Sequence, residues 1–451
     1  MSYFDDFGES RSKIPYDDIP ISRNERGSRG SMTSRSGSGF RMNKISSVII
    51  SFMVILNFVL SLVCIYFVKN TKHRTIYNNV IEVGSGGGVS SAVKSSAFMN
   101  SVGVVAGTGG CNTEYEFYNT MESRGSGVIY KVVRKSNDPT TDAYNRGTIY
   151  FVTCYHVVSG YVNLSGDSVW VMLPTATKPI AVDVLAYSSH YDIAVLEYNT
   201  NDIEGVLAGS SPVKVFDSVF TSYGEKIFAI GNSLSSGLSI TEGLISQINT
   251  EIRVGTNSFY TRTLQISAEI NPGNSGGGMF NSKGEFLGIV NAKRHTSSSD
   301  NEIFTVVGMS YAIPSSIVCG VADKLIAGNS KPKRVTLGVE FTHDGGRGIW
   351  PYEYDGEYRQ IEKYSVVVGD VQTGSVAYGK LNKGDKIESI EFCLEGSDEM
   401  IRVPMFNKFV FNDYSFRIKE RSEIRIYLVD GNEVSTTYKT ITLGASVTDL
   451  D

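Results

Sequence analysis

Cysteine is scarce in this chain. Five occur in 451 residues, and Cys64, Cys111, Cys154, Cys319 and Cys393 are too scattered to form the ligand set of a structural metal site. No metal and no other cofactor is expected. Surplus positive charge is lacking as well: 42 Lys and Arg stand against 47 Asp and Glu, a formal net charge of -5. That excludes the basic footprint of a nucleic-acid-binding protein. Long apolar runs are also rare, and the longest, Ile45–Val68, carries no charge. At about 1.5 Å per residue its ~24 residues reach ~36 Å, enough to cross a hydrocarbon core of about 30 Å. A signal peptide would start nearer the N-terminus and end in a small-x-small cleavage site, whereas this run follows a polar stretch and ends YFVKNTKHR. The reading is a single uncleaved transmembrane helix over 45–68. Arg29, Arg35, Arg41 and Lys44 on one side slightly outnumber Lys69, Lys72 and Arg74 on the other, which puts the N-terminus in the cytoplasm and the remainder outside. Residues 1–44, rich in Ser, Gly, Arg and Asp, read as a disordered cytoplasmic tail, with or without a specific role. Residues 69–98, containing EVGSGGGVSSAVKSSA, read as a flexible linker. Outside the cell a Cys111–Cys154 bridge is one option; reduced, buried cysteines are the expectation.

What the chain does have is NPGNSGGGM at 271–279, with Ser275 in the middle. A nucleophilic serine needs an exposed hydroxyl, a close backbone approach and main-chain N–H groups aimed at one point, and the surrounding glycines permit such a turn. Alone, a Gly/Ser-rich stretch is ordinarily a flexible loop. Two further segments argue otherwise. TIYFVTCYHVVSG (148–160) is an apolar strand-like run ending at His156, and YDIAVLEY (191–198) places Asp192 at the mouth of another. The chain order His156, Asp192, Ser275 is that of chymotrypsin-type serine proteases and differs from subtilisin and the α/β-hydrolases. His190 is a rival imidazole, but it lacks the strand-ending context and reads as structural.

GSGVIY (125–130), T-x-x-H-V-V (153–158), DIAVLE (192–197), GNS (231–233), EGLISQI (242–248), NPGNSGG (271–277), GIVNA (288–292) and YAIP (311–314) occur in one order across residues 100–320. This series resembles the HtrA/Deg family of trypsin-like serine proteases. Short β-branched and aromatic runs separated by Gly, Ser and Asn turns already predict a mainly β region. The resemblance makes it a chymotrypsin-like double β-barrel over 99–328, with His156 and Asp192 supplied by one barrel and Ser275 by the other. It implies Ser275 as nucleophile, His156 as general base and then acid, and Asp192 fixing the imidazole tautomer. The N–H groups of Gly273 and Ser275 would form the oxyanion hole. Glu269 lies six residues before Ser275, the offset at which trypsin-like enzymes carry the base of the specificity pocket; there it would select Lys or Arg, and otherwise it points to solvent. Val290, Asn291 and Ala292 complete the expected pocket. Two departures stand out: Gly278 where the family commonly has Pro or Ala, and an insertion-like KVVRKSNDPTTDAYNRGT (131–148), read as an elongated hairpin.

Beyond a helical segment, SSIVCGVADKLIAG (315–328), and a basic linker lies TLGVEF (336–341), which resembles the carboxylate-binding loop of PDZ domains. VQTGSVAYGKLNKGDKIESI (371–390) resembles their core. The implied PDZ domain covers 334–445, followed by a tail at 446–451. In it the N–H groups around Leu337, Gly338 and Val339 would receive a peptide C-terminus while the peptide adds a strand to the sheet edge. The aromatic stretch GGRGIWPYEYDGEYRQIEKYS (345–365) is long enough to cover that groove. Together these readings predict a membrane-anchored, ATP-independent serine endopeptidase of HtrA type, acting on polypeptides, binding C-terminal peptides and, by family analogy, forming a homotrimer. The alternatives are a polypeptide-binding chaperone or sensor scaffold with minor proteolysis, and a regulatory protease with one dedicated membrane-protein substrate.

Overall fold

Continuous apolar runs such as VGVVAG form fully buried strands, and two closed barrels use them. In the computed structural model the described residues run from Met99 to Thr448, interrupted at 108–112, 121–122, 163–168, 254–259, 294–295, 300–301, 306–308, 329–330 and 431–432. The expected tail, transmembrane helix and linker lie outside them. Among the described residues no helix is long and apolar enough to cross a membrane.

The first barrel is built from β1 (Val102–Gly107), β2 (Ser123–Arg134), β3 (Gly147–Cys154), β4 (Val169–Met172), β5 (Ile180–Ser188) and β6 (Ile193–Thr200). It closes in the order β1-β2-β3-β6-β5-β4, with β4 returning antiparallel to β1. Val105, Val128, Phe151, Val171 and Val195 belong to its buried core. The expected long hairpin is present: β2 and β3 stay paired out to Arg134 opposite Gly147. Its turn is tied down by Asn145 Nδ2 donating to Asp202 and by Arg134 to Glu204, at 2.9 and 2.6 Å.

The second barrel contains β7 (Lys214–Val215), β8 (Lys226–Gly231), β9 (Ser239–Arg253), β10 (Tyr260–Ile266), β11 (Gly278–Asn281) and β12 (Glu285–Lys293). A small hairpin, β13 (Thr296–Ser299) and β14 (Glu302–Thr305), precedes β15 (Ser310–Pro314). The order is β11-β8-β9-β10-β15-β12, closed by β12 pairing back to β11, with β7 added in parallel to β12. The chain is therefore mainly β, with the double barrel expected of it. The predicted helix is Ser315–Ile326. Ile317, Val318, Val321, Ala322 and Leu325, spaced three to four residues apart, lay one face into the first barrel's core.

The rest of the described chain holds a third large sheet. It comprises β17 (Val339–Tyr354), β18 (Glu357–Val371), β19 (Lys386–Cys393), β20 (Met400–Pro404), β21 (Glu423–Asp430) and β22 (Glu433–Thr442), while β16 (Lys333–Arg334) and β23 (Val447–Thr448) form a separate two-stranded sheet. Its main order is β17-β18-β19-β21-β22, with β20 on β19. Part of the expected C-terminal tail is a strand, since β23 pairs with β16. The aromatic stretch 345–365 does not cover a groove. It is the β17–β18 arm, and its rings find buried partners on the second barrel: Tyr354 stacks on Phe220 with centroids 3.9 Å apart, and Tyr352 lies parallel to the same ring at 5.5 Å. Arg359 adds a bond to Glu225 at 3.2 Å. One hydrophobic core consequently runs from the second barrel into the third sheet.

Candidate active site

β3 ends at Cys154, and the helical turn Tyr155–Val158 then presents His156 with its side chain 44% exposed. Asp192 occupies the turn between β5 and β6 with φ at 54°, a left-handed conformation that Asp tolerates better than most residues. Its side chain is 1% exposed, and a carboxylate so deeply buried must be surrounded by donors. Three are in place. Oδ1 accepts from the His156 N–H at 2.8 Å, while Oδ2 accepts from His156 Nδ1 and from Asn291 Nδ2, both at 2.6 Å. The imidazole is thereby held with its proton on Nδ1, leaving Nε2 as the basic nitrogen.

Ser275 stands on the loop between β10 and β11. Two tight turns shape it, with Asn274 N–H donating to Asn271 O at 3.0 Å and Gly277 N–H to Asn274 O at 2.9 Å. Gly276, at φ 82°, has no room for a side chain: a Cβ would sit 2.2 Å from Ser126 O and 2.3 Å from Thr153 Oγ1. The loop is thus pressed against β2 and the end of β3, beside the turn that carries His156. Across the other side, Gly276 N–H donates to Val290 O and Val290 N–H to Gly277 O, each at 2.8 Å. The Ser275 hydroxyl itself donates to Asn291 O at 3.1 Å.

Whether the Gly273 and Ser275 N–H groups are open, as the expected oxyanion hole requires, depends on which way the Pro272–Gly273 peptide faces. Pro272 O accepts from Leu234 N–H at 2.8 Å, which fixes that carbonyl on the turn after β8. Gly273 has φ at 98°, and neither its N–H nor that of Ser275 has an acceptor among the described residues.

One residue that sequence reasoning passed over holds this loop. Ser126, fully buried within the GSGVIY motif, donates from Oγ to Gly273 O at 2.8 Å and accepts there from Asn232 N–H at 2.8 Å. Its own N–H donates to Ser275 O at 2.8 Å. Ser126→Ala is expected to lower kcat about 10- to 100-fold with little change in KM, because loosening one oxyanion donor costs part of what deleting it would. Steady-state kinetics on a peptide substrate, with a melting curve to separate misfolding, checks this; an equal rise in KM with kcat intact would contradict it. A serine between two glycines at the start of a strand was the available signal.

Of the two readings of Glu269, its position agrees with the one that points to solvent. Glu269 is exposed between buried Ala268 and Ile270, so its carboxylate is not the buried base of a pocket. Val290 is fully buried in the hydrophobic core, and Asn291 is turned onto Asp192 rather than toward a substrate. Ala292 is placed only by its backbone, opposite Tyr311. His190 packs edge-on against Tyr191 with centroids 4.5 Å apart. The departure at Gly278 has a local cause, since the Phe280 ring occupies the space a Cβ would need. Cys154, Cys319 and Cys393 are free thiols, and Cys111 lies outside the described residues. Burial and the Asp192 charge push the Cys154 thiol well above the usual range.

Leu337, Gly338 and Val339 line a cleft of about 560 Å³, closed by Phe409 and Phe411 near the short helix Val410–Tyr414. Gly338 has φ at 66°, and its N–H donates to Thr336 Oγ1 at 3.1 Å. Lys408 at the rim pairs with Glu251 of β9 at 3.2 Å.

Residues 125–289 match the family model of the trypsin-like peptidase domain. A serine protease Do-like HtrA of Lactococcus lactis subsp. lactis is 30% identical over 283 residues, 60% of this chain and 61% of that protein. The serine protease Do-like HtrB of Bacillus subtilis is 34% identical over 279 residues, 60% of this chain and 53% of that one. The chain thus spans between half and two thirds of the length of these two relatives. A solved structure, the HtrA-type protease AlgW with tripeptide, aligns over 78% of this chain and 96% of that one at 22% identity, with a TM-score of 0.45. The chain carries a trypsin-like peptidase domain and is similar to serine proteases of HtrA type.

Proposed function

We propose that the whole chain is a membrane-anchored, ATP-independent serine endopeptidase of HtrA type. The observation that carries this reading is the pairing of a carboxylate-held imidazole, His156 on Asp192, with a serine loop whose Gly273 and Ser275 N–H groups are open. In the reaction Ser275 Oγ attacks the scissile carbonyl carbon while His156 Nε2 takes its proton. The carbonyl oxygen, now negative, moves onto the two N–H groups, where one such donor is worth about 3–4 kcal/mol. Asp192 stabilises the imidazolium, which then protonates the departing amine, and a water molecule hydrolyses the acyl ester by the same route. The substrates in this reading are misfolded or specific extracytoplasmic polypeptides. The third sheet is read as a PDZ domain whose cleft at Leu337–Val339 receives peptide C-termini. Ile45–Val68 is read as the anchor, with the N-terminus cytoplasmic, and the assembly as a homotrimer.

The test is cleavage of an unfolded protein by the full chain, with the cut sites mapped. Ser275→Ala is expected to leave no cleavage, and Glu269→Ala to leave the cut sites where they were. Cuts after Lys or Arg that vanish in Glu269→Ala would put that carboxylate back in the pocket. Absence of cleavage by the parent chain, even with hydrophobic C-terminal peptides added, would favour a binding scaffold.

A further inference from the structure

A fully buried cysteine is ordinarily a small apolar filler. Cys154, at 0% exposure, differs because its thiol meets a polar partner on each side. Its S–H donates to Val290 O at 3.4 Å, and its Sγ accepts from Asn291 Nδ2 at 3.5 Å. Burial keeps this thiol protonated, so the S–H is there to give. The same Nδ2 directs its other N–H to Asp192 Oδ2 at 2.6 Å, the oxygen that also takes His156 Nδ1 at 2.6 Å.

These contacts cross between the barrels twice. Cys154 ends β3 and stands in register with Ile193, the residue after Asp192, so both belong to the first barrel. Val290 and Asn291 lie on β12 of the second. Their carbonyls hold the serine loop: Val290 O also takes Gly276 N–H at 2.8 Å, and Asn291 O takes the Ser275 hydroxyl at 3.1 Å. An Asn amide held at one point can still tilt, because its terminal torsion is broad. Engaging the second N–H on sulfur fixes the amide plane, and with it the direction from which Asp192 Oδ2 is met. Asn291 is only 5% exposed, so an N–H released by the sulfur would go unsatisfied rather than turn to water.

We propose that Cys154 and Asn291 act as one positioning unit, the thiol orienting the amide and the amide sharing Asp192 Oδ2 with His156. Cys154 is a positioning residue: fully buried, it touches no substrate, and none of its bonds changes. Without the thiol the amide turns, and Oδ2 gives more of its electron density to the His156 Nδ1–H. The hydrogen-bonded arrangement stands on geometry alone, while its effect on rate rests on the serine-protease reading.

Two measurements on the full chain in mild detergent separate these layers. The first is the low-field proton resonance of His156 Nδ1–H in Ser275→Ala, assigned by its absence from Ser275→Ala/His156→Gln. Adding Asn291→Ala is expected to move it downfield, adding Cys154→Ala to move it part of the way, and adding both to give no more than Asn291→Ala alone. Cys154→Val fills the space without a polar function; it is expected to match Cys154→Ala and replaces it if that variant misfolds. Cys154→Ser keeps a donor and an acceptor and is expected to stay closer to the parent than either. The second measurement is steady-state kinetics. Cys154→Ala is expected to lower kcat about three- to tenfold with KM unchanged, in the range of one hydrogen bond. It should not deepen the loss in Asn291→Ala, whereas an independent packing defect would multiply with it. The expected resonance shifts in a chain that cleaves nothing would leave the positioning unit standing and sink only the serine-protease reading. A resonance unmoved by Cys154→Ala and Cys154→Val, or effects of Cys154 and Asn291 that combine in full, overturns the proposal.

Discussion

Asp192→Asn is expected to lower kcat by about 10⁴ while leaving the fold intact. The reasoning starts from the three donors that meet this carboxylate: His156 N–H, His156 Nδ1–H and Asn291 Nδ2. An ionised carboxylate can accept from all of them, whereas an amide presents a donor on one side. If the new NH₂ replaces Oδ2, it faces two donors, and the relief is a His156 tautomer with its proton on Nε2. That tautomer cannot take the Ser275 proton. If the amide turns the other way, its NH₂ meets the His156 main-chain N–H instead. The backbone will not object, because Asn tolerates the φ of 54° at this position at least as well as Asp does. An unchanged melting temperature together with a loss of kcat is therefore the expected pattern. Asn291→Ala, which removes one donor and leaves the carboxylate in place, is expected to cost only about tenfold, in proportion to one hydrogen bond to a charged group. A loss of less than a hundredfold in Asp192→Asn would mean that the His156–Asp192 pair does not set the tautomer.

The residues that meet at the candidate site were legible in the sequence to different degrees, and the reason is local. His156, Asp192 and Ser275 each end or open an element, so each is embedded in a contiguous motif. Ser126 and Asn291 act across the two barrels, the one on Gly273, 147 residues away, and the other on Asp192, 99 residues away. No periodicity or turn signal encodes such a meeting. Counting back from Ser275 puts Glu269 at the base of a pocket, but the offset alone does not say which way the side chain points. The stretch Ser267–Ile270 alternates exposed and buried, as its polar-apolar alternation foretells, and Glu269 falls on the outer side. The aromatic arm illustrates the same limit. Tyr352 and Tyr354, two apart in a strand, necessarily share a face, but the partner of that face, Phe216 and Phe220 on another part of the chain, had no local sign.

The junction between the second barrel and the third sheet offers the other large effect. Arg262 on β10 and Asp413 in the short helix form an ion pair whose side chains are 4% and 2% exposed. Arg262 Nε also donates to Ile248 O at 3.0 Å, and the Ser316 hydroxyl donates to Asp413 at 3.1 Å. Arg262→Met leaves the carboxylate buried beside one hydroxyl and is expected to destabilise by about 3–5 kcal/mol in denaturant unfolding. Arg262→Met combined with Asp413→Leu removes both charges and is expected to recover most of that loss, since an apolar pair of similar size costs no desolvation. Burial pushes the Asp413 carboxyl up to about 6, against the opposing pull of Arg262. Because its folded pKa lies above the ordinary carboxylate value near 3.9, its contribution is fully present below about pH 4 and is lost as pH rises through 6. Between pH 7 and pH 5 the parent should therefore gain stability relative to the double variant. Equal pH dependence in the two proteins, or an Arg262→Met variant as stable as the parent, would show that the junction is held by the stacked rings of Phe216, Phe220, Tyr352 and Tyr354 alone. With the pair in place, cutting either connection should leave the other to keep the sheet on the barrel.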